Sequence, residues 1–67
     1  MLKALRQAAG LTQSALASRS GINLRQIQKI EAGEIKMENI TLQTASRLAE
    51  ALGVTMEDLL NGGNQDD

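Results

Sequence analysis

The sequence predicts an all-α fold, a compact bundle of five short helices, on three observations. Apolar residues recur at helical spacing in five separate stretches. Each stretch has a Thr or Asn cap in front of it, a Gly behind it, or both. No alternating Val/Ile/Thr run marks a strand, and proline is absent. The chain is rich in Ala, Leu, Gln, Lys, Arg and Glu, all good helix formers. With no aromatic residue at all, Leu, Ile and Ala must fill the core.

The first helix is expected over Leu2–Ala9, with Leu2, Leu5 and Ala9 on one face and Gly10 as the left-handed stop. Leu11 then enters the core. Thr12 caps the second helix, Gln13 to about Arg19, in which Leu16 and Ser20 lie one turn apart on the inner face. Ala17 is small where a neighbouring helix needs to come close, and Gly21 ends the helix. Asn23 caps the third helix, Leu24–Ala32, with Gln26 placed to close a capping box. At 3.6 residues per turn, Ile27, Ile30 and Glu31 share one side of it. Arg25, Gln28 and Lys29 share the other, with Leu24 at the N-terminal edge.

Residues 34–40 (EIKMENI) form a connection without Gly or Pro, whose Ile35, Met37 and Ile40 are expected against the core. Thr41 caps the fourth helix, Leu42–Leu52, with Leu42, Ala45, Leu48, Ala49 and Leu52 facing inward and Gly53 ending it. Thr55 and Asp58 make a capping box for a fifth helix, Met56 to about Leu60. Residues 1–61 therefore read as one domain. Residues 62–67 read as a polar tail, expected to be disordered because nothing apolar anchors it.

At 67 residues a domain buries only about 60% of its unfolded surface. The chain has no Cys and no His, so neither a disulfide nor a zinc site is available to staple it. Efficient helix packing or dimerisation must serve instead. No apolar run reaches the length of a membrane span and none reads as a leader, so a soluble, cytoplasmic, nucleoid-associated protein is expected, with no membrane partner.

The net charge of −1 conceals an asymmetry. Residues 1–36 hold six cations (Lys3, Arg6, Arg19, Arg25, Lys29, Lys36) against Glu31 and Glu34, a balance of +4. Residues 37–67 hold Arg47 against six acids, a balance of −5. Such segregation suits a protein that turns one face to a polyanion, although in so short a chain it can arise by chance.

The stretches LRQAAGLTQSALA, SGIN, QKIEAG and LAEALGVTMEDLL, taken in this order and spacing, resemble the lambda-repressor-like helix-turn-helix family, also called Cro-like or xenobiotic-response-element regulators. The resemblance spans residues 2–60, nearly the whole chain. It implies a DNA-binding domain with its helix-turn-helix at helices 2 and 3, the second of which enters the major groove while the first crosses the backbone. Leu16, Ile27 and Ile30 would fix the angle between the two. Arg6 and Glu31 fall where the family pairs an arginine of the first helix with a glutamate late in the third. Both are expected to form a structural ion pair, with a phosphate contact by Arg6 as the alternative.

By the same resemblance Leu24, Arg25, Gln28 and Lys29 would read base edges. Arg25 is the best placed for guanine, and Gln28 for adenine or a phosphate. Leu24 would touch a thymine methyl or act as a hydrophobic staple. Gln13, at the start of the second helix, is the leading phosphate contact, followed by Asn23, Lys36 and Asn39. The connection departs from the shortest relatives by being longer and by carrying Glu34 and Glu38, which weakens the expectation of DNA contacts there. Relatives pair through their C-terminal region, so Val54, Met56, Leu59 and Leu60 are candidate dimer contacts.

The functional expectation is sequence-specific binding of a double-stranded operator by a homodimeric transcriptional regulator, a repressor first of all. No catalytic constellation, metal ligand set, cofactor or small-molecule ligand is expected. The alternatives are a protein-interaction module of the same fold and an antitoxin-type regulator with a protein partner.

Overall fold

The computed structural model describes residues 2–61, so the expected polar tail at 62–67 lies outside them. The five helices occur in the expected order: α1 Leu2–Ala8, α2 Gln13–Ser20, α3 Leu24–Glu31, α4 Leu42–Leu52 and α5 Met56–Leu60. A single 3-10 turn, Met37–Asn39, lies between α3 and α4. Three boundaries differ from expectation by one residue. α1 stops at Ala8, α2 continues through Ser20, and α3 stops at Glu31 with Ala32 as its cap.

The helix ends are held by the chemistry the sequence advertises. Thr12, Thr41 and Thr55 each accept from the backbone N–H three residues on, at 3.0, 3.1 and 2.9 Å. Asp58 returns the bond by accepting from the Thr55 N–H, which completes the capping box of α5. The box expected at Asn23 is not made. Asn23 Oδ1 accepts instead from the Arg25 N–H at 2.7 Å, one residue nearer than a box requires, and Gln26 does not return the bond. The Asn oxygen lies one bond further from Cα than a Ser or Thr hydroxyl, and it bonds the N–H two residues on in the manner of an Asx-turn.

The core consists of Leu2, Leu16, Ile22, Ile27, Ile30, Ala45, Leu48, Ala49, Leu52 and Leu59. α4 is its hub, packing along α2 and carrying α5, while α3 lies against α2 and reaches α1. Ala17 sits partly buried beside this core, as expected for a close crossing. The connection at 34–40 behaves as anticipated: Ile35, Met37 and Ile40 pack against the core. Its first residue is tied back to α3, with the Glu34 N–H donating to the Lys29 carbonyl at 2.9 Å.

Leu42 is a correction. Counted by periodicity it faces inward, yet it is 76% exposed. It is the first residue of α4, and helical side chains lean toward the N-terminus, so it overhangs the helix start where no neighbour reaches. No helix among the described residues is long and apolar enough to cross a membrane.

Candidate nucleic-acid interface

The angle of α3 is set locally. Between α2 and α3 the chain turns through Ser20, Gly21, Ile22 and Asn23. Gly21 takes φ +72°, the left-handed region that favours glycine. Ser20 is buried, and its hydroxyl serves both sides of the turn. It donates to the Leu16 carbonyl at 2.7 Å and accepts from the Ile22 N–H at 3.1 Å. Ile22, Ile27 and Ile30 then pin the turn and the inner face of α3 to the core.

With that face buried, the opposite one is presented to solvent. Leu24, Arg25, Gln28 and Lys29 are all exposed, so α3 brings the four expected base-reading residues to one surface. Among the described residues the single ion pair is the one between Arg6 and Glu31, which leaves Arg25 and Lys29 without an acidic partner. Asn23, Lys36 and Asn39 are exposed as well, but Asn23 spends its side-chain oxygen on capping α3.

The end of α3 is anchored by a buried polar cluster. Arg6 donates from Nε to Glu31 Oε2 at 2.7 Å and from Nη2 to Oε1 at 3.1 Å, a bidentate pair. The two side chains are 10% and 5% exposed. Arg6 Nη1 also donates to the Leu11 carbonyl at 2.8 Å, so one guanidinium joins α1, the link to α2, and α3. Burial alone would push the Glu31 carboxyl up. Hydrogen bonds from Arg6 and Gln13, with the charges of Arg6 and Lys3, outweigh it and hold the group below its ordinary value. The Arg6 guanidinium is held above its ordinary value by its hydrogen bond to Glu31.

Gln13 is where the structure adds to the sequence reading. It opens α2 half-buried, and its Nε2 donates to Glu31 Oε1 at 2.9 Å. The expected phosphate donor is therefore part of the Arg6–Glu31 cluster, a link between residues 18 apart that no helical periodicity announces. The sequence reading also left Arg19 and Arg47 unassigned. They line a cleft of about 520 Å³ with Ser20, Glu50 and Ala51, where the end of α2 meets α4, and α3 contributes nothing to it.

At the C-terminal end the candidate dimer contacts separate. Leu59 is fully buried in the core, which removes it from any surface between subunits. Leu60 is 51% exposed, and Val54 and Met56 are partly buried beside the core.

These features, a glycine turn between two short helices and a polar face held outward on the second, meet a family model described as helix-turn-helix over residues 2–59. The chain belongs to that family. Its lambda-repressor-like, all-helical architecture and its DNA-binding character follow from that membership. No curated protein and no solved structure matches the chain. Within the helix-turn-helix domain, α2 and α3 are the motif, and α1, α4 and α5 supply the core that holds it.

Proposed function

We propose that this helix-turn-helix protein is a sequence-specific transcriptional regulator of the repressor type, acting on operator DNA in the cytoplasm as a homodimer. The observation that carries the reading is the outer face of α3. Arg25, Gln28 and Lys29 stand exposed there without intramolecular ion pairs, on a helix whose opposite side is fixed by Ile27 and Ile30. Arg25 contacts guanine through its two-pronged guanidinium, Gln28 and Lys29 read neighbouring edges, and Leu24 meets a thymine methyl. Gln13 holds a phosphate at the start of α2, where free backbone N–H groups assist it, and Lys36 and Asn39 follow the backbone beyond α3.

Pairing of two copies is supported by the exposure of Leu60, next to the half-covered Met56 and Val54. A two-fold dimer presents its α3 helices to half-sites about one DNA turn apart. Selection from a random duplex pool tests both parts of the reading. An enriched inverted repeat is the expected result. Enrichment of a single half-site would remove the dimer, and no enrichment at all would favour a protein-interaction module.

A further inference from the structure

The Glu31 side chain is 5% exposed and paired with Arg6, which marks it as part of the scaffold. One of its contacts does not fit a purely structural part. Its Oε1 accepts from Gln13 Nε2 at 2.9 Å as well as from Arg6 Nη2 at 3.1 Å. A carboxylate can only accept, so the Gln13 amide is oriented by chemistry, with its nitrogen toward Glu31. That nitrogen carries a second hydrogen, and among the described residues nothing takes it. A glutamine at a helix start normally keeps several rotamers, and ordering it at the moment of binding costs affinity.

We infer that Glu31 is a positioning residue for DNA binding: it holds the Gln13 amide in one orientation, with its remaining N–H ready for a phosphate oxygen. The inference rests on the phosphate contact proposed for Gln13. Arg6 is what makes the arrangement possible, since its charge compensates the carboxylate so close to a polyanion and fixes it through two hydrogen bonds. The recognition helix is thereby connected to the backbone contact of the preceding helix. The same residue that anchors the end of α3 prepares the start of α2.

The test is a double-mutant cycle on duplex affinity with Gln13→Ala and Glu31→Gln. A neutral amide offers one acceptor oxygen in place of two, and the Arg6 guanidinium claims it, which frees Gln13. Glu31→Gln is expected to weaken binding roughly 2- to 10-fold, the cost of ordering one released side chain, and equally for preferred and random duplexes. In the Gln13→Ala background it is expected to cost nothing more. If Gln13→Ala alone leaves random-duplex affinity unchanged, the phosphate contact falls and the inference with it. If both single losses occur and multiply in the double variant, the phosphate contact stands and the positioning role is overturned.

A second measurement needs no variant that must fold. In the unliganded wild-type protein, the two side-chain amide protons of Gln13 should be widely separated in NMR spectra, and on acidification they should converge in step with protonation of the Glu31 carboxyl. A Gln13 amide indistinguishable from the solvent-exposed glutamines would overturn the inference.

Discussion

Arg6 and Glu31 stand 25 residues apart in sequence and meet through two hydrogen bonds, at 2.7 and 3.1 Å, with both side chains nearly out of solvent. Removing one partner strands the other as an uncompensated buried charge. Arg6→Ala should therefore cost about 3 kcal/mol of folding stability. In a domain of this size that lowers the melting temperature by more than about 10 °C. Thermal melts followed by circular dichroism check this, and a drop of only a degree or two would mean that the pair is worth no more than a surface contact.

The same pair makes stability fall in acid. The Glu31 carboxyl titrates below its ordinary 4.5 in the folded protein, so the folded state binds that proton less readily than the unfolded chain. Its contribution is fully present above 4.5 and is lost as pH falls below that value through the folded-state pKa. Urea denaturation across this range should show a decline that Glu31→Gln flattens. An acid limb of equal slope in both proteins would assign it to other carboxylates.

On the α3 face, Arg25→Ala should cost about 1–3 kcal/mol on the preferred site and relax the preference at one base pair. Gln13→Ala should weaken preferred and random duplexes alike. Titrations on both kinds of duplex separate these two roles. Equal losses for Arg25→Ala on the two would take base reading away from that residue.

Gly21→Ala isolates the cost of the turn. A Cβ built there meets only Arg47 Nη1, at 3.9 Å, which is ordinary contact, so no steric clash is involved. The φ of +72° then leaves a conformational cost of about 1–2 kcal/mol. Measured stability loss well beyond that would point to a displacement of α3, visible as a disproportionate loss of DNA affinity.

Leu59 and Leu60 are neighbours with opposite environments, 0% and 51% exposed. Leu59→Ala should cost about 2–5 kcal/mol by opening a cavity. Leu60→Ala should leave the fold intact and lower the mass seen by sedimentation at a given concentration. If Leu60→Ala unfolds the protein instead, that side chain belongs to the core.

Most of the fold was legible because local signals agreed with one another. Thr12, Thr41 and Thr55 mark helix starts, glycines mark the ends, and the apolar spacing of Leu16, Ile27, Ile30, Leu48 and Leu52 marks the core. Periodicity failed at helix termini, where having the right angle does not ensure a neighbour. Leu42 is the case in point. It also could not choose between adjacent leucines on so short a helix as α5. In the candidate site, the Arg6–Glu31 pair and the outward set on α3 could be expected from the resemblance and the helical wheel. The bond from Gln13 to Glu31 could not, because it depends on how far α2 and α3 approach in space.

The guanidinium of Arg6 ties α1, the Leu11 carbonyl and α3 together, so the seating of α3 depends on α1. Each opening of α1 far enough to withdraw Arg6 unfastens the end of α3 and loosens Gln13 with it. A cut between Arg6 and Gln7 would therefore release the end of α3 while leaving Arg25, Gln28 and Lys29 in place on an intact helix.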